Sequence, residues 1–150
     1  MIPKLDELSV LIVEDEEQVR AMLKRLLDRA GHETWEASNC AEAAEAMEAH
    51  DFALALVDVN LPGMSGLELT KQIVASHPNT AVIMVTGIGD PVVAASALNS
   101  GAYGYLVKPF KSSAFTIERT NALIRRRLEM ENRAHMANLE TRVLERTHQL

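Results

Sequence analysis

The sequence predicts a parallel α/β fold, and three observations support this prediction. Short apolar runs that are rich in β-branched residues alternate with amphipathic stretches between residues 8 and about 120. The runs are nearly continuous in apolarity, as expected of strands in a sheet that is covered by helices on both faces. The connections between successive segments are short, which favours right-handed crossovers between parallel strands.

The predicted strands are brief, four to six residues each. A run over 32–37, with Trp35 at its centre, is a weaker candidate and fits an edge strand. Four other runs predict strands more clearly: Val10–Val13, Ala53–Val57, Ala81–Val85 and Tyr103–Val107. The order of strands and helices predicted along the chain is βαβαβαβαβα.

Helical periodicity and capping residues indicate the helices between these strands. The first helix begins near Val19 and is ended by Gly31, and its apolar positions recur at the spacing of one helical face. Asp90 followed by Pro91 predicts the start of the fourth helix. Two further helices begin with a cap and an acidic partner three residues later, Asn39 with Glu42 and Ser65 with Glu68.

Composition limits the class of protein. The chain has 150 residues, 47% of them apolar, which is enough for one domain with a substantial core. Its net charge of −6 is unlike that of a nucleic-acid binder, and we expect no nucleic-acid contact from this segment. The single cysteine, Cys40, excludes an internal disulfide and suits a reducing compartment. We find neither a signal peptide nor a membrane span and expect a cytoplasmic protein.

The charge distribution divides the chain into an acidic body and a long tail. Residues 1–111 carry 8 basic and 16 acidic side chains, whereas residues 112–150 carry 7 and 5, with no glycine or proline. We therefore predict a domain over 1–120 and a helical extension over 121–150.

Chemically capable side chains follow four of the predicted strands. Glu14 and Asp15 follow the first strand, Asp58 ends the third, Thr86 follows the fourth and Lys108 follows the fifth. The carboxyl ends of parallel strands share one edge of the sheet, where such folds place their chemistry. Taken alone, Asp58 fits a helix cap or a solvated turn, but its four companions favour a site.

Three neighbouring carboxylates repel one another unless a cation neutralises them. A hard divalent ion such as Mg²⁺ prefers carboxylate and carbonyl oxygens. Asp58 would then be an ionised carboxylate in a cation-rich pocket, which makes it a plausible nucleophile toward a phosphoryl donor. The cation and Lys108 would stabilise the transferring group, and the Thr86 hydroxyl could donate to one of its oxygens.

Four segments, LIVEDE, LVDVNLPGMSG, IMVTG and GYLVKPF, follow successive strands at separations that resemble the receiver domain of bacterial two-component response regulators. The resemblance covers residues 8 to about 120. It implies a flavodoxin-like, doubly wound five-stranded sheet of order 2-1-3-4-5. It also implies that a sensor histidine kinase supplies the phosphoryl group, and that the domain is a switch, not an enzyme, catalysing only its own phosphorylation and dephosphorylation.

The resemblance assigns roles to individual residues. Asp58 matches the phosphoacceptor. The Mg²⁺ (or Mn²⁺) ligands are expected to be Asp15, Asp58 and the backbone carbonyl of Asn60, with Glu14 acting through a water. Lys108 matches the lysine that pairs with the acceptor and the phosphoryl group, before a cis bond to Pro109.

Further roles concern the switch and its duration. Thr86 matches the switch hydroxyl and Tyr105 the aromatic residue that changes rotamer with it. Gly87 leaves space for the phosphoryl group. Asn60 and Ile88 flank the acceptor and are predicted to control the lifetime of the phosphoryl group.

Two other classes of protein, flavin-binding domains and phosphatases with an aspartate nucleophile, fit the sequence less well. A flavin-binding domain of similar topology would need a Gly/Ser/Thr-rich phosphate loop after the first strand, where this chain has acids. A phosphatase with an aspartate nucleophile usually has a second aspartate two residues later, where this chain has Asn60.

The tail predicts one helix from Ser113 to Leu150, of which the first part seals the domain through Ile117, Leu123, Ile124 and Leu128. Further along, Met136, Leu139, Val143 and Leu150 follow the spacing of a coiled-coil seam, with Arg146 in the missing place. Two interpretations remain open: a solvated single helix, or a coiled coil that forms a homodimer. We favour pairing.

The segments RRRLEMENRAH and LETRVLERTHQL resemble helical linkers that precede output domains. The greatest resemblance is to linkers of HD-type cyclic-di-GMP phosphodiesterases. We therefore expect a tethered output domain, with a stand-alone receiver that acts by protein contacts as the alternative.

Overall fold

A computed structural model describes the backbone of residues 8–87 and 91–149, and the side chains of 8–87 and 91–144. The described residues form strands and helices in strict alternation. Their order is β1 (Ser9–Val13), α1 (Glu17–Arg29), β2 (Glu33–Ala37), α2 (Cys40–Ala49), β3 (Leu54–Asp58), α3 (Gly66–Ser76), β4 (Ala81–Thr86), α4 (Pro91–Asn99), β5 (Gly104–Val107) and α5 (Ser112–Gln149).

The strands form one parallel sheet of order β2-β1-β3-β4-β5, which confirms the predicted flavodoxin-like fold. β1 and β3 are adjacent at the centre, and Val13 pairs with Val57. Asp58 pairs with Val85 of β4, and Thr86 pairs with Val107 of β5. This register brings the residues that follow β1, β3, β4 and β5 to one edge.

The side-chain alternation of the strands builds a core on each face of the sheet. In β1, Leu11 and Val13 face the layer of α2, α3 and α4, whereas Val10 and Ile12 face the layer of α1 and α5. All four side chains are fully buried. The central strand β1 is therefore apolar on both faces, and the charged residues of the site follow the carboxyl ends of the strands.

The predicted elements shift by one or two residues at their ends. The weak candidate over 32–37 is confirmed as the edge strand β2, whereas Tyr103 lies just outside β5 and Thr86 lies inside β4. α1 begins at Glu17, two residues before the first residue of its apolar face.

Side-chain caps begin two of the helices. The Asn39 side chain accepts the backbone N–H of Glu42 at 2.8 Å, as predicted for the start of α2. The Glu42 carboxylate reaches back to the backbone N–H of Ser38, one residue before the cap, at 2.9 Å. Ser65 caps α3 by accepting the N–H of Leu67. Asp90, the predicted cap of α4, lies outside the described residues.

The first turns of α5 close the domain with a set of residues that overlaps the predicted one only in part: Leu123 is buried as predicted, and Ile124 is half-buried. Phe115, Ala122 and Leu123 are buried against the sheet. Ile117 and Leu128 are 58% and 54% exposed, so their predicted role in sealing the domain is wrong. Three-four spacing identifies a helical face but does not fix which side of a long helix meets the sheet.

Beyond these turns, α5 contacts the loop between α3 and β4. The Arg126 Nε donates to the backbone carbonyl of Asn79 at 2.6 Å. Arg133, seven residues later on the same face, donates to the carbonyl of Pro78 and to the side-chain oxygen of Asn79. We refer to residues 126–133 as the stem. None of the described helices combines the length and apolar character that crossing a membrane requires.

Candidate phosphoacceptor site

Three acidic side chains meet at the carboxyl edge of β1 and β3. Glu14 and Asp15 follow β1 directly, and Asp58 is the last residue of β3. One carboxylate oxygen from each of the three lies within 4.8 Å of the other two. Glu14 and Asp58 are almost completely buried, whereas Asp15 is exposed. The structure therefore brings the three predicted acids together beneath an opening to solvent.

Lys108 enters this cluster from the end of β5. Its Nζ lies 2.6 Å from a Glu14 carboxylate oxygen and 3.3 Å from one of Asp58. Its backbone N–H donates to the carbonyl of Thr86 at 2.7 Å, which fixes the start of the loop after β5. The peptide bond to Pro109 is cis, as the resemblance implies.

The electrostatics of the cluster suit a cation. Burial raises the pKa of Glu14 to about 8, and the neighbouring Asp58 adds to this rise while Lys108 opposes it. Burial also disfavours the charged form of Lys108, but its hydrogen bond to Glu14 and the charges of Asp58 and Glu14 outweigh burial and raise its pKa. One lysine thus only partly compensates the negative charge that these carboxylates would carry.

An unsatisfied atom shows where a ligand could bind. Among the described residues, the buried Oε2 of Glu14 has no hydrogen-bond partner. A buried polar atom without a partner costs free energy, and such atoms are uncommon in native proteins. Carboxylate oxygens are the donors that Mg²⁺ prefers, so the acidic cluster fits a hard divalent cation.

The predicted switch residues Thr86 and Tyr105 lie on β4 and β5. Thr86 is fully buried at the end of β4, and the following Gly87 has nothing within 4 Å of the place that a Cβ would occupy. Tyr105 is half-buried in β5 and packs against the core layer of α2, α3 and α4. Ile88 lies outside the described residues, so its predicted influence on phosphoryl lifetime stays a prediction.

The loop after Asp58 is shaped by two residues, one of which was not singled out from the sequence. The backbone N–H of Asn60 donates to Asp58 Oδ1 at 3.0 Å. Gly66, the first residue of α3, lies so close to β3 that a Cβ there would be 1.9 Å from the Asp58 carbonyl oxygen. Its signal in the sequence is a glycine at a helix start, where a better helix former would otherwise be expected.

A parallel sheet that brings three acids and a lysine together at its carboxyl edge is the arrangement that the sequence resemblance implies. The family model described as "Response regulator receiver domain" matches residues 10–118. The chain therefore belongs to the response regulator receiver family.

Relatives and solved structures agree with this assignment. The chain is 38% identical over 118 residues to the transcriptional regulatory protein SrrA of Staphylococcus aureus, covering 79% of the chain and 48% of SrrA. It is 33% identical over 126 residues to the C4-dicarboxylate transport transcriptional regulatory protein DctD of Rhizobium meliloti, covering 84% of the chain and 27% of DctD. The chain thus spans about half or less of these curated relatives.

The solved structure of a receiver domain from a protein with an HD domain is also similar to this chain. It is the signal receiver domain of an HD domain-containing protein from Pseudomonas fluorescens, with a TM-score of 0.79 and 26% identity. The match covers 87% of this chain and 97% of that one. Receiver domains are signalling switches, and the acidic cluster of Glu14, Asp15 and Asp58 is of the kind at which they generally bind Mg²⁺.

Proposed function

We propose that this domain is switched by transfer of a phosphoryl group from a sensor histidine kinase to Asp58. The observation that carries this proposal is the approach of the Lys108 ammonium to within 3.3 Å of Asp58 in a cluster of three acids. The proposed ligands of Mg²⁺ (or Mn²⁺) are Asp15, Asp58 and the Asn60 carbonyl, with Glu14 acting through a water. When bound, the cation neutralises the carboxylates and the charge on the phosphoryl oxygens.

The chemistry is a displacement at phosphorus. A carboxylate oxygen of Asp58 forms a bond to the phosphorus of phosphohistidine, and the P–N bond breaks as imidazole leaves. Lys108 stabilises the charge of the transferring group, and the Thr86 hydroxyl donates to one of its oxygens once they are close. Asn60 and Ile88 control the access of water, and hence the lifetime of the acyl phosphate.

The signal leaves the site through β4 and β5. Thr86 moves toward the phosphoryl group, and Tyr105 changes rotamer with it. Two contacts support this route: the Thr86 carbonyl accepts the Lys108 N–H, and the N–H of Tyr105 donates to the Glu118 carboxylate of α5 at 3.4 Å. The face formed by α4, β5 and α5 therefore changes shape, which biases a two-state element.

The C-terminal helix carries this change onward and pairs with a second copy of the chain. Met136, Leu139 and Val143 are large apolar residues that are exposed on α5. At 3.6 residues per turn they lie on one side of the helix, about a quarter turn from the side on which the stem contacts the α3–β4 loop. A homodimer through this stripe therefore leaves the contacts of Arg126 and Arg133 intact. We propose that residues 1–120 form the receiver domain and that residues 121–150 form the helical extension.

The proposed output is a tethered domain, and an HD-type cyclic-di-GMP phosphodiesterase is the form we favour. The similar receiver of an HD domain-containing protein supports this choice. Both curated relatives are named as transcriptional regulators, so an output of that kind is a competing outcome. A stand-alone receiver that acts by protein contacts in the cytoplasm is the alternative. The coding sequence beyond residue 150 discriminates among these.

The direct experiment supplies a small phosphodonor and Mg²⁺. Intact mass and oligomeric state are recorded for the wild type and for Asp58→Asn. We expect the wild type to gain the mass of one phosphoryl group and to change its degree of association, and the variant to do neither. A folded wild type that gains no phosphoryl mass contradicts the proposed function.

A further inference from the structure

Arg20 of α1 ties the acidic turn after β1 to the edge of the sheet. Its Nη1 donates to the backbone carbonyl of Glu14 at 2.9 Å. Its Nε lies 3.7 Å from the Glu36 carboxylate on β2, and the Arg20 side chain is only 21% exposed. The guanidinium therefore bridges the residue that begins the acidic cluster and the neighbouring edge strand.

In the part of the chain that the structure describes, the N-terminus of α1 does not hold this turn through a side-chain cap. Glu16 occupies the N-cap of α1 but makes no side-chain capping bond among the described residues. The backbone of Glu14 is instead held from two directions, since its N–H donates to the Ala37 carbonyl at 3.0 Å and its carbonyl accepts from Arg20. The Glu14 and Asp15 side chains both extend from this backbone, and the Glu14 carboxylate is held in addition by Lys108 Nζ at 2.6 Å.

We propose that Arg20 is a positioning residue, which holds the Glu14–Asp15 turn in the conformation that binds the divalent cation. This inference rests on the proposed function, because it concerns the same acidic cluster. Groups that orient metal ligands from outside the ligand set commonly have a large effect on metal affinity. A planar guanidinium with several fixed donors suits this task better than a flexible ammonium does.

The positive charge of Arg20 and its positioning of the turn should change Mg²⁺ affinity in opposite directions. The direction of the change on removing Arg20 therefore tests the inference. A fixed positive charge beside a cation site opposes cation binding. A donor that preorganises the ligand-bearing turn favours it. If Arg20 acted only through its charge, its removal would strengthen Mg²⁺ binding. If it acts by positioning, its removal weakens Mg²⁺ binding.

The experiment measures Mg²⁺ affinity calorimetrically, without a phosphodonor, for the wild type, Arg20→Ala and Lys24→Ala. Lys24 is the matched control, since it is a cation one turn later on α1 and pairs with Asp28 in solvent. We expect Arg20→Ala to weaken Mg²⁺ binding about tenfold and Lys24→Ala to change it less than about twofold. Arg20→Gln replaces Arg20→Ala if the alanine variant does not fold, with a smaller weakening expected.

Hydrogen exchange of the metal-free protein gives an independent measurement. The Glu14 amide should exchange about tenfold faster in Arg20→Ala, while amides in the centre of β3 keep their protection. Unchanged or tighter Mg²⁺ binding in Arg20→Ala overturns the positioning role, as does unchanged exchange at Glu14. If the wild type itself binds no Mg²⁺, the proposed function fails, and this failure is distinguishable because it appears before any substitution.

Discussion

The two edges of the sheet use charged side chains in different ways. At the carboxyl edge, the carboxylates of Glu14 and Asp58 are buried and one oxygen of Glu14 lacks a partner among the described residues. At the opposite edge, Arg126 and Arg133 donate to carbonyl and amide oxygens of the α3–β4 loop. Burial and the nearby Arg133 lower the pKa of Arg126. The Arg126 Nε nevertheless has an acceptor, the backbone carbonyl of Asn79.

This difference indicates that the carboxyl edge serves chemistry, whereas the opposite edge attaches the stem of α5 to the α3–β4 loop. Buried charges without full compensation cost stability and are kept where a ligand or a reaction requires them. Arginines that donate to the oxygens of a loop can fix the direction of a helix without taking part in a reaction. Substitutions at the carboxyl edge should therefore alter phosphoryl transfer, and substitutions at the opposite edge should alter only the attachment of the stem.

Lys108→Ala is expected to have the largest effect. Loss of the ammonium beside Asp58 removes a charge that stabilises the transferring group, and it should slow phosphorylation by a small phosphodonor about 10²-fold. Lys111→Ala, three residues later and exposed, is the matched control and should leave the rate within about twofold. Rates follow from the time course of intact mass. Equal rates in the two variants would contradict the role of Lys108 in phosphoryl transfer.

Gly66→Ala should show how closely α3 approaches β3 at the carboxyl edge, in contrast to the open position of Gly87 at the same edge. A Cβ would overlap the Asp58 carbonyl, so α3 must move away from β3, and we expect a loss of about 2–3 kcal/mol in the free energy of unfolding. At Gly87 a Cβ meets nothing within 4 Å, so Gly87→Ala should change stability by less than about 1 kcal/mol. Urea unfolding checks both values, and a small loss in Gly66→Ala would contradict the close approach.

The pH dependence of Mg²⁺ binding tests the role of the buried Glu14 at the carboxyl edge. The pKa of Glu14 is raised to about 8 without metal, so below that pH its carboxyl holds a proton that a cation must displace. Mg²⁺ affinity should therefore rise as pH increases toward 8 and become constant above it. Calorimetry at several pH values checks this. Glu14→Gln should abolish the dependence in that window, and an unchanged slope in this variant would assign the proton elsewhere.

Arg126→Ala is expected to have the smallest effect. It removes one hydrogen bond to the α3–β4 loop, worth about 1 kcal/mol, and should increase hydrogen exchange within the stem. The phosphorylation rate should stay within about twofold of the wild type. Arg127→Ala, at the next and exposed position, is the control and should leave exchange unchanged. A large loss of phosphorylation in Arg126→Ala would show that the two edges are not independent.

The fold and the centre of the site were predictable from the sequence because both follow from local pattern. Continuous apolar runs identified the parallel strands, and reading the residue after each strand placed Glu14, Asp58 and Lys108 together. Strand ends were less certain by a residue or two, since hydrogen bonding and not apolarity sets them.

Contacts with particular backbone atoms were not predictable. Arg20, Gly66 and Arg126 each act on a backbone atom, and no residue pattern records which carbonyl lies within reach. The predicted burial of Ile117 and Leu128 was wrong for a related reason. Periodicity defines a face of α5, but only packing against the sheet determines which side of the helix is covered.

The central claim, that Asp58 accepts a phosphoryl group with the help of a divalent cation, is tested most directly by locating the modification. The protein is incubated with a small phosphodonor, with Mg²⁺ or with excess chelator, and peptide masses are compared. The account predicts one phosphoryl group on the peptide that contains Asp58, present only with Mg²⁺ and absent in Asp58→Asn. A phosphoryl group on another residue, or equal modification in chelator, would contradict it.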